Sequence, residues 1–314
     1  MITILTEPSF SFWFQVKKKA KNFIKRYLLQ REILPYSGHF GVVRSLIKGL
    51  EKNNQEYSYN PFRLSEHSTH IHVLANKKAL RLAIRLKRKG KIKRLSAGPN
   101  IVISSADAGG VIASPEIDCY AVNSEWTKSF YLLDNPALEE RIVIWPAGVD
   151  KDLWKTTKQE TPKPVIVFYK KRPEHYIYEH CKTHALNMGY QVEELIYGSY
   201  SHPGFKELMT RAKAVVYFVE QESQGLALLE IWATNTPTFV WDPGVWMYKN
   251  TNYACSSAPY LSKMTGKTFK NLADFEVALG SELKDYEPET WVSENMTDAI
   301  CANLFLERIS YNRD

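Results

Sequence analysis

Cysteine is scarce in this chain, and the few cysteines are far apart. The 314 residues include four, Cys119, Cys181, Cys255 and Cys301, and no two of them form a CxxC pair. This spacing excludes the usual zinc patterns and a disulfide framework, and it favours a protein of the reducing cytosol.

Long apolar runs and a recognisable export signal are also missing. No segment reaches the roughly 20 uninterrupted apolar residues of a membrane-spanning helix. The apolar start, MITILTEPSFSFWF, has no basic leader and no small-residue cleavage site, so we interpret it as a first buried strand. We therefore expect a cytoplasmic protein.

The chain is long enough for two globular domains, and it carries an excess of basic residues. Its length suits two domains of about 150 residues each, and 44% hydrophobic with 24% charged residues is ordinary for soluble domains. The net charge of +7 is concentrated in two runs, 17–31 and 85–94. Such runs suit anionic partners such as a lipid surface, phosphates or nucleic acid.

Strand-like and helix-like segments alternate in both halves. HIHVLA is typical of a strand, and NKKALRLAIRLKRKG of a helix closed by Gly90. KAVVYFV lacks polar alternation, as expected for a strand covered on both faces. Two successive βαβ arrays predict an α/β protein of two doubly wound, Rossmann-like domains. Ligands bind beyond the carboxyl ends of such strands, so we expect the site in a cleft between the domains.

The segment KTTKQETPKP is polar, contains two prolines and has no apolar period, which is typical of a linker. We predict an N-terminal domain at 1–150, a linker at 151–163 and a C-terminal domain at 164–295. We predict a C-terminal helix at 296–314. One alternative is that this helix crosses back to the first domain.

Two glutamates flank the start of a predicted helix in ESQGLALLE. Glu222 follows a buried strand, Gly225 opens the helix, and Glu230 lies about one and a half turns inside it. The N–H groups and dipole of a helix start favour an anion, and the Glu230 carboxylate is suited to accept hydrogen bonds from two ribose hydroxyls. Asn235 and Pro237 then end the helix.

The segment ESQGLALLEIWATNTPTFV resembles the E-x7-E segment of the retaining family 4 glycosyltransferases, which have the GT-B fold. The passage from VNSEWTKSF to RIVIWPAGVDKDLW is similar to the part of that family that leads into its interdomain linker. The resemblance implies that Glu222 lies near the sugar and the diphosphate and that Glu230 holds the nucleotide ribose. Gly225 and Leu226 would then adjoin the donor, and the second domain would bind the nucleotide sugar.

The resemblance also implies a set of phosphate contacts. FYKKRPE places cations directly after the first strand of the second half, and we favour Lys171 and Arg172 as the pair that neutralises the departing diphosphate. Fixed cations stabilise that charge without a metal, so no metal or other cofactor is expected. A UDP- or GDP-linked sugar is the expected donor. Gly38, in YSGHFGVVRS, takes the place of the Gly-rich loop that approaches the donor phosphates.

The histidine that the family often has at its sugar site is not found here. The segment AGPN puts Asn100 in that place, where it would hold a sugar hydroxyl, and Asp107 would orient the acceptor. His67, His70 and His72 look like a metal cluster at first, but no carboxylate or cysteine is spaced to complete one. We interpret these histidines as structural.

The first basic run has the pattern of an amphipathic helix. Its cations Lys17, Lys18, Lys21, Lys25 and Arg26 alternate with apolar positions. Three interpretations stay open: peripheral binding to an anionic membrane face, contact with the acceptor or the cleft, and nucleic acid. Nucleic acid is the weakest of these, because no reading motif accompanies the charge.

These observations predict a metal-independent glycosyltransferase of polysaccharide biosynthesis. It would move a sugar from a nucleotide-diphosphate donor to a hydroxyl of a glycan or lipid-linked acceptor, and retention of configuration follows from the resemblance. One alternative is a glucosyltransferase that acts on modified DNA bases. The other is a GT-B protein that binds nucleotide sugars without turnover.

Overall fold

The computed structural model groups the chain into two compact units. The first is formed by Met1–Ala147 with Asp298–Asp314, and the second by Gly148–Thr297. The structure describes residues 1–10, 38–64, 69–171 and 176–310.

The first unit contains a parallel sheet with strand order β2-β1-β3-β4-β5-β6. Every residue of β1, β3 and β5 is buried, as expected for parallel strands covered on both faces. The strands are β1 (Ile2–Leu5), β2 (Tyr57–Tyr59), β3 (His70–Val73), β4 (Arg94–Ala97), β5 (Cys119–Val122) and β6 (Ile142–Ile144).

The helices of the first unit alternate with these strands. Asn76 caps the second of them, because its Oδ1 accepts from the backbone N–H groups of Lys78 and Ala79 at 2.9 and 3.0 Å. The helices are α1 (Gly38–Lys52), α2 (Lys77–Arg88), a single irregular turn (Asp107–Gly110), α3 (Glu125–Asp134) and the C-terminal helix (Asp298–Phe305).

The C-terminal helix packs closely against α1. A side chain at Gly49 would place its Cβ 2.1 Å from the Asp298 carbonyl oxygen and 2.6 Å from Ala302 Cβ. Only glycine therefore permits this approach of the two backbones, and it attaches the end of the chain to the first unit.

The two histidines of β3 share one face of the sheet, as strand alternation predicts. His70 Nε2 and His72 Nδ1 lie 2.7 and 2.8 Å from the hydroxyl of Ser96 in β4. Burial lowers the pKa of His70 to about 4 and that of His72 to about 3. In the ranges that the structure describes, no group of three or more His, Cys, Asp or Glu side chains is placed to hold a metal ion. His67 lies outside those ranges.

The second unit contains a parallel sheet with strand order β13-β10-β9-β7-β8 and an antiparallel hairpin. Lys249 and Asn250, at the tip of the hairpin, both have positive φ, as a type I′ hairpin turn requires. The sheet strands are β7 (Val165–Lys170), β8 (Gln191–Ile196), β9 (Ala212–Phe218), β10 (Thr238–Trp241) and β13 (Gly266–Phe269), and the hairpin strands are β11 (Val245–Tyr248) and β12 (Thr251–Ala254).

Within the described residues of the second unit, three helices alternate with the sheet strands, one precedes the first of these strands, and two follow the last. None of the helices among the described residues of the chain is long and apolar enough to span a bilayer. The helices of the second unit are α4 (Lys151–Trp154), α5 (Tyr176–Asn187), α6 (His202–Arg211), α7 (Leu226–Ala233), α8 (Leu272–Leu279) and α9 (Pro288–Asn295).

The segment 151–163, which the sequence assigns to a linker, packs against the second unit. Trp154 at the end of α4 is 2% exposed. The Lys158 ammonium group donates to the carbonyl oxygens of Met209 and Ala212 at 2.9 and 3.1 Å. These contacts attach the segment to the carboxyl end of α6.

Candidate functional site

The polar residues of the second unit gather at the carboxyl edge of its sheet. β7 lies between β8 and β9, and Lys171 follows β7 while Glu222 follows β9. Because the strands are parallel, the segments after them begin at the same edge. Residues that are far apart in the chain therefore meet there.

The Glu222 carboxylate is held by two donors from neighbouring strands. Its Oε1 accepts from the Lys171 ammonium group at 2.8 Å and from the Tyr217 hydroxyl at 3.0 Å. The Glu222 side chain is 14% exposed and that of Lys171 is 31% exposed. Lys171 Nζ also lies 5.2 Å from the centre of the Tyr197 ring. This arrangement is a half-buried ion pair whose geometry is set by the sheet.

A layer of tyrosines supports this ion pair. Tyr217 stacks on Tyr169 of β7, with ring centres 4.6 Å apart and planes 6° from parallel. The Tyr169 hydroxyl lies 3.4 Å from the hydroxyl of Tyr200. Burial raises the pKa of Tyr169 and Tyr217 well above the usual value and that of Tyr200 to about 12. These phenols therefore keep their protons near neutral pH, and Tyr217 remains a donor to Glu222.

The start of α7 lies in the same segment. Gly225 precedes the helix with φ of 85°, and a Cβ there would lie 2.9 Å from Leu228 Cδ1. Glycine is suited to this left-handed conformation. Leu226, the first helical residue, is partly exposed. The N–H groups and the dipole of this helix start favour an anion close to Glu222.

Glu230 lies further along α7 and faces the start of α6. Its Oε1 is 3.8 Å from Nε2 of His202, and the Glu230 side chain is 13% exposed. The His202 ring in turn lies 5.8 Å from the ring of Trp154. The two groups form an ion pair when the imidazole is protonated, and the Glu230 carboxylate is largely buried beside the start of α6.

The structure describes the predicted site residues of the first unit mainly by features of their own chain segments, and not by contacts between strands. Asn100 is partly buried and follows β4 in a left-handed conformation, with φ of 65°. Asp107 Oδ2 accepts from the backbone N–H of Ser104 at 3.0 Å, so this carboxylate stabilises its own loop. Gly38 is the first residue of α1. The roles in sugar and acceptor binding that the resemblance implies for these residues remain predictions.

Several predicted residues lie outside the described ranges. They are Arg172 and the basic positions Lys17, Lys18, Lys21, Lys25 and Arg26. Their proposed roles at the diphosphate and at an anionic surface remain predictions.

Sequence reasoning missed two residues that contact the glutamates. Tyr217 is a hydroxyl-bearing residue near the carboxyl end of β9, a strand whose other residues are apolar except for Lys213, and its polar group could have marked it. His202 follows Ser201, which caps α6 by accepting from the Gly204 backbone N–H at 3.2 Å. The sequence indicates a helix start at this position, but it does not indicate that His202 lies close to Glu230.

Comparisons with known proteins identify the fold. No protein-family model and no curated protein sequence matches the chain. Among solved structures, the apo form of the lipopolysaccharide outer core galactosyltransferase WaaB has a TM-score of 0.57 and 12% identity, covering 98% of this chain and 99% of its own. The chain has the GT-B fold.

Two further structures agree over most of the length. Sucrose-phosphate synthase from Thermosynechococcus elongatus has a TM-score of 0.54 and 11% identity, covering 96% of each chain. The catalytic domain of starch synthase IV from Arabidopsis thaliana, bound to ADP and acarbose, has a TM-score of 0.54 and 9% identity, covering 88% of this chain and 78% of its own. The predicted GT-B fold is confirmed, whereas membership of family 4 stays a prediction. Sequence identities this low support a shared fold but do not establish a shared activity.

Proposed function

We propose that this GT-B protein is a glycosyltransferase. It would move a sugar from a nucleotide-diphosphate donor to a hydroxyl of a glycan or lipid-linked acceptor. The observation that carries the proposal is the Glu222 carboxylate, bound by Lys171 and Tyr217 beside the start of α7. A carboxylate, a cation and a helix start in one place suit a ligand that carries both a sugar and a diphosphate.

The diphosphate would bind between the Lys171 ammonium group and the N–H groups at the start of α7. As the bond between sugar and phosphate breaks, negative charge grows on the leaving diphosphate, and fixed donors stabilise it in the transition state. Lys171 is already oriented by Glu222 at 2.8 Å, so little reorganisation is required. Arg172 is the proposed second cation.

The Glu222 carboxylate would lie against the transferred sugar. There it can accept hydrogen bonds from sugar hydroxyls and stabilise the positive charge that develops on the ring as the leaving group departs. Glu230 would accept hydrogen bonds from the two ribose hydroxyls, and the His202 imidazole lies 3.8 Å from its Oε1.

The GT-B neighbours support donors of this class. The starch synthase structure contains ADP and acarbose. A trehalose-phosphate synthase described as UDP-forming, with a TM-score of 0.50 and 12% identity, was solved with glucose-6-phosphate. Retention of configuration, independence from metal and the roles of Asn100 and Asp107 rest on the family 4 resemblance and form part of the proposal.

A thermal-shift screen of the full chain against UDP, GDP, ADP, CMP and dTDP sugars tests the proposal. A ligand that binds only the folded state stabilises it by about 2.7 kcal/mol at a concentration of 100 Kd. We expect one nucleotide series to raise the melting temperature. A flat response to all of them would contradict the proposal.

Release of free nucleotide from the donor that binds then separates an enzyme from a binding protein. Slow hydrolysis without acceptor, abolished in Glu222→Gln, is the expected result. Binding with no turnover, even with a panel of glycan acceptors, would indicate a protein that has kept only the donor site.

A further inference from the structure

The exposed face of α2 forms one wall of a groove in the first unit, which we call the arginine groove. Its volume is about 710 Å³, within the range of sites that hold small ligands. The wall on α2 carries Arg81, Arg85 and Arg88, and the opposite wall is the segment 108–115.

The groove has a positive charge that is only partly compensated. α2 contains six basic residues and no acidic one. Arg88 is paired with Glu116 through Nε–Oε1 and Nη2–Oε2 contacts of 2.6 and 3.2 Å. Arg81 and Arg85 form no ion pair with any residue that the structure describes. Two guanidinium groups are therefore available to an anionic ligand.

The opposite wall leaves room beside these guanidinium groups. Ala108, Gly109 and Gly110 all have positive φ, between 56° and 71°. Apart from the adjoining residues of the same segment, nothing lies within 4 Å of where a Cβ would stand at either glycine. Next to them, Val111 and Ala113 contribute apolar surface to the lining. A ligand with a flat apolar face and a charged substituent fits this combination.

We propose that the arginine groove binds an acidic segment of the acceptor glycan, one that bears carboxylate or phosphate groups. This proposal rests on the proposed glycosyltransferase function, and it adds the chemical class of the acceptor. Arg81 and Arg85 are one helical turn apart, about 6 Å along the axis. Guanidinium groups bind carboxylate and phosphate in a bidentate manner, and the C–H face of a sugar ring would contact Val111 and Ala113.

Other polyanions fit the groove less well. Its lining contains no aromatic side chain, so it lacks the stacking surface that proteins use for single-stranded nucleic acid. A helix that binds a membrane inserts an apolar face. The apolar face of α2 is already buried within the first unit, at Ala79, Leu80, Ala83 and Ile84.

Fluorescence anisotropy with labelled oligomers tests the proposal on the full chain without donor. The probes are an oligogalacturonate, a glycerol-phosphate oligomer and a neutral malto-oligosaccharide of equal length. At least one acidic probe should bind and the neutral probe should not. The double variant Arg81→Gln/Arg85→Gln should weaken that binding about tenfold, because two charge-assisted contacts are lost.

The matched control is Lys77→Gln/Lys78→Gln, which removes the same charge from the first turn of α2, outside the groove lining. It should change the affinity less than about threefold, as expected for distant exposed charges. Arg85→Lys keeps the charge but loses the bidentate geometry, and an intermediate loss is expected. Melting temperatures confirm that each variant is folded.

Three results would overturn the proposal: no binding of either acidic probe, equal weakening in the arginine and lysine variants, or tighter arginine-dependent binding to single-stranded DNA or phosphatidylglycerol vesicles. Donor binding is measured separately by thermal shift. If that screen is flat while the acidic probes bind through Arg81 and Arg85, the glycosyltransferase proposal fails and the groove remains a site for acidic glycans. If nucleotides bind but the acidic probes do not, the groove proposal alone fails.

Discussion

The carboxyl edges of the two sheets are built differently. In the second unit, Glu222 receives donors from two adjacent strands, through Lys171 and Tyr217. In the first unit, Asp107 receives the backbone N–H of a residue three positions earlier in its own loop. Side chains positioned by a sheet are held before a ligand arrives, whereas a loop that stabilises itself can still rearrange. In the proposed function, the donor therefore binds at the preorganised edge.

The largest effect is expected from Glu222→Gln. Loss of a preorganised charge beside the reacting sugar should reduce kcat by about 10²–10³-fold, measured as transfer or hydrolysis of the donor found in the screen. Asp107→Asn is the matched change at the other edge. Its effect should be about tenfold or less, because one hydrogen bond to an acceptor hydroxyl contributes only about 1 kcal/mol. Equal effects at the two positions would break the comparison.

Glu230→Ala should weaken donor binding more than it slows the chemical step. A carboxylate that binds two ribose hydroxyls contributes about 1.5–3 kcal/mol, which corresponds to roughly 10–100-fold in Kd. Isothermal titration with the free nucleotide measures this directly. Glu207→Ala, an exposed residue on α6, serves as the control and should leave the affinity unchanged.

Tyr217→Phe tests whether the tyrosine layer positions Glu222. The phenylalanine ring keeps the stack on Tyr169 and removes only the hydroxyl that lies 3.0 Å from Oε1. Loss of one hydrogen bond to a carboxylate should lower kcat about tenfold, with the KM for the donor nearly unchanged. A fall in melting temperature with normal kcat would show that the hydroxyl is only structural.

Acidification should loosen the first unit because of its buried histidines. Their folded-state pKa values, about 4 for His70 and about 3 for His72, are below the usual 6.5, so the unfolded chain binds more protons. Their stabilising contribution is complete above about pH 6.5 and is lost as the pH falls toward those values, by up to about 1.4 kcal/mol per pH unit for each histidine.

Urea unfolding at several pH values below neutrality measures this slope. His72→Gln should make it shallower, while His180→Gln, an exposed position on α5, should leave it unchanged. The tyrosine layer of the second unit has raised pKa values and does not titrate in this range. The same slope in both histidine variants would contradict the assignment.

The smallest effect is expected from two glycine substitutions, Gly225→Ala and Gly109→Ala. Both residues have positive φ, so alanine should cost about 1 kcal/mol at each. Gly225→Ala should cost more, because its Cβ would meet Leu228 at 2.9 Å whereas nothing lies near Gly109. Thermal unfolding measures the difference, and only Gly225→Ala should also weaken nucleotide binding.

Much of this architecture was predictable from local patterns. The apolar run ending in Phe218, the glycine before α7 and the spacing of Glu222 and Glu230 are local features, and they predict a strand, a helix start and an anion site. The segment around Lys158 shows the limit of such reasoning. Its polar sequence is typical of a linker, but its ammonium group packs against carbonyl oxygens of α6 and β9.

The sequence by itself determined the pattern of two alternating strand and helix arrays and the positions of both glutamates along the chain, because strand and helix periodicity and capping residues act over a few neighbours. Only the tertiary structure decided which groups meet at the Glu222 carboxylate. Lys171 is 51 residues away in the chain and reaches Glu222 because β7 pairs directly with β9. The same pairing sets Tyr169 opposite Tyr217, and strand order and register depend on the burial of whole faces rather than on any single segment.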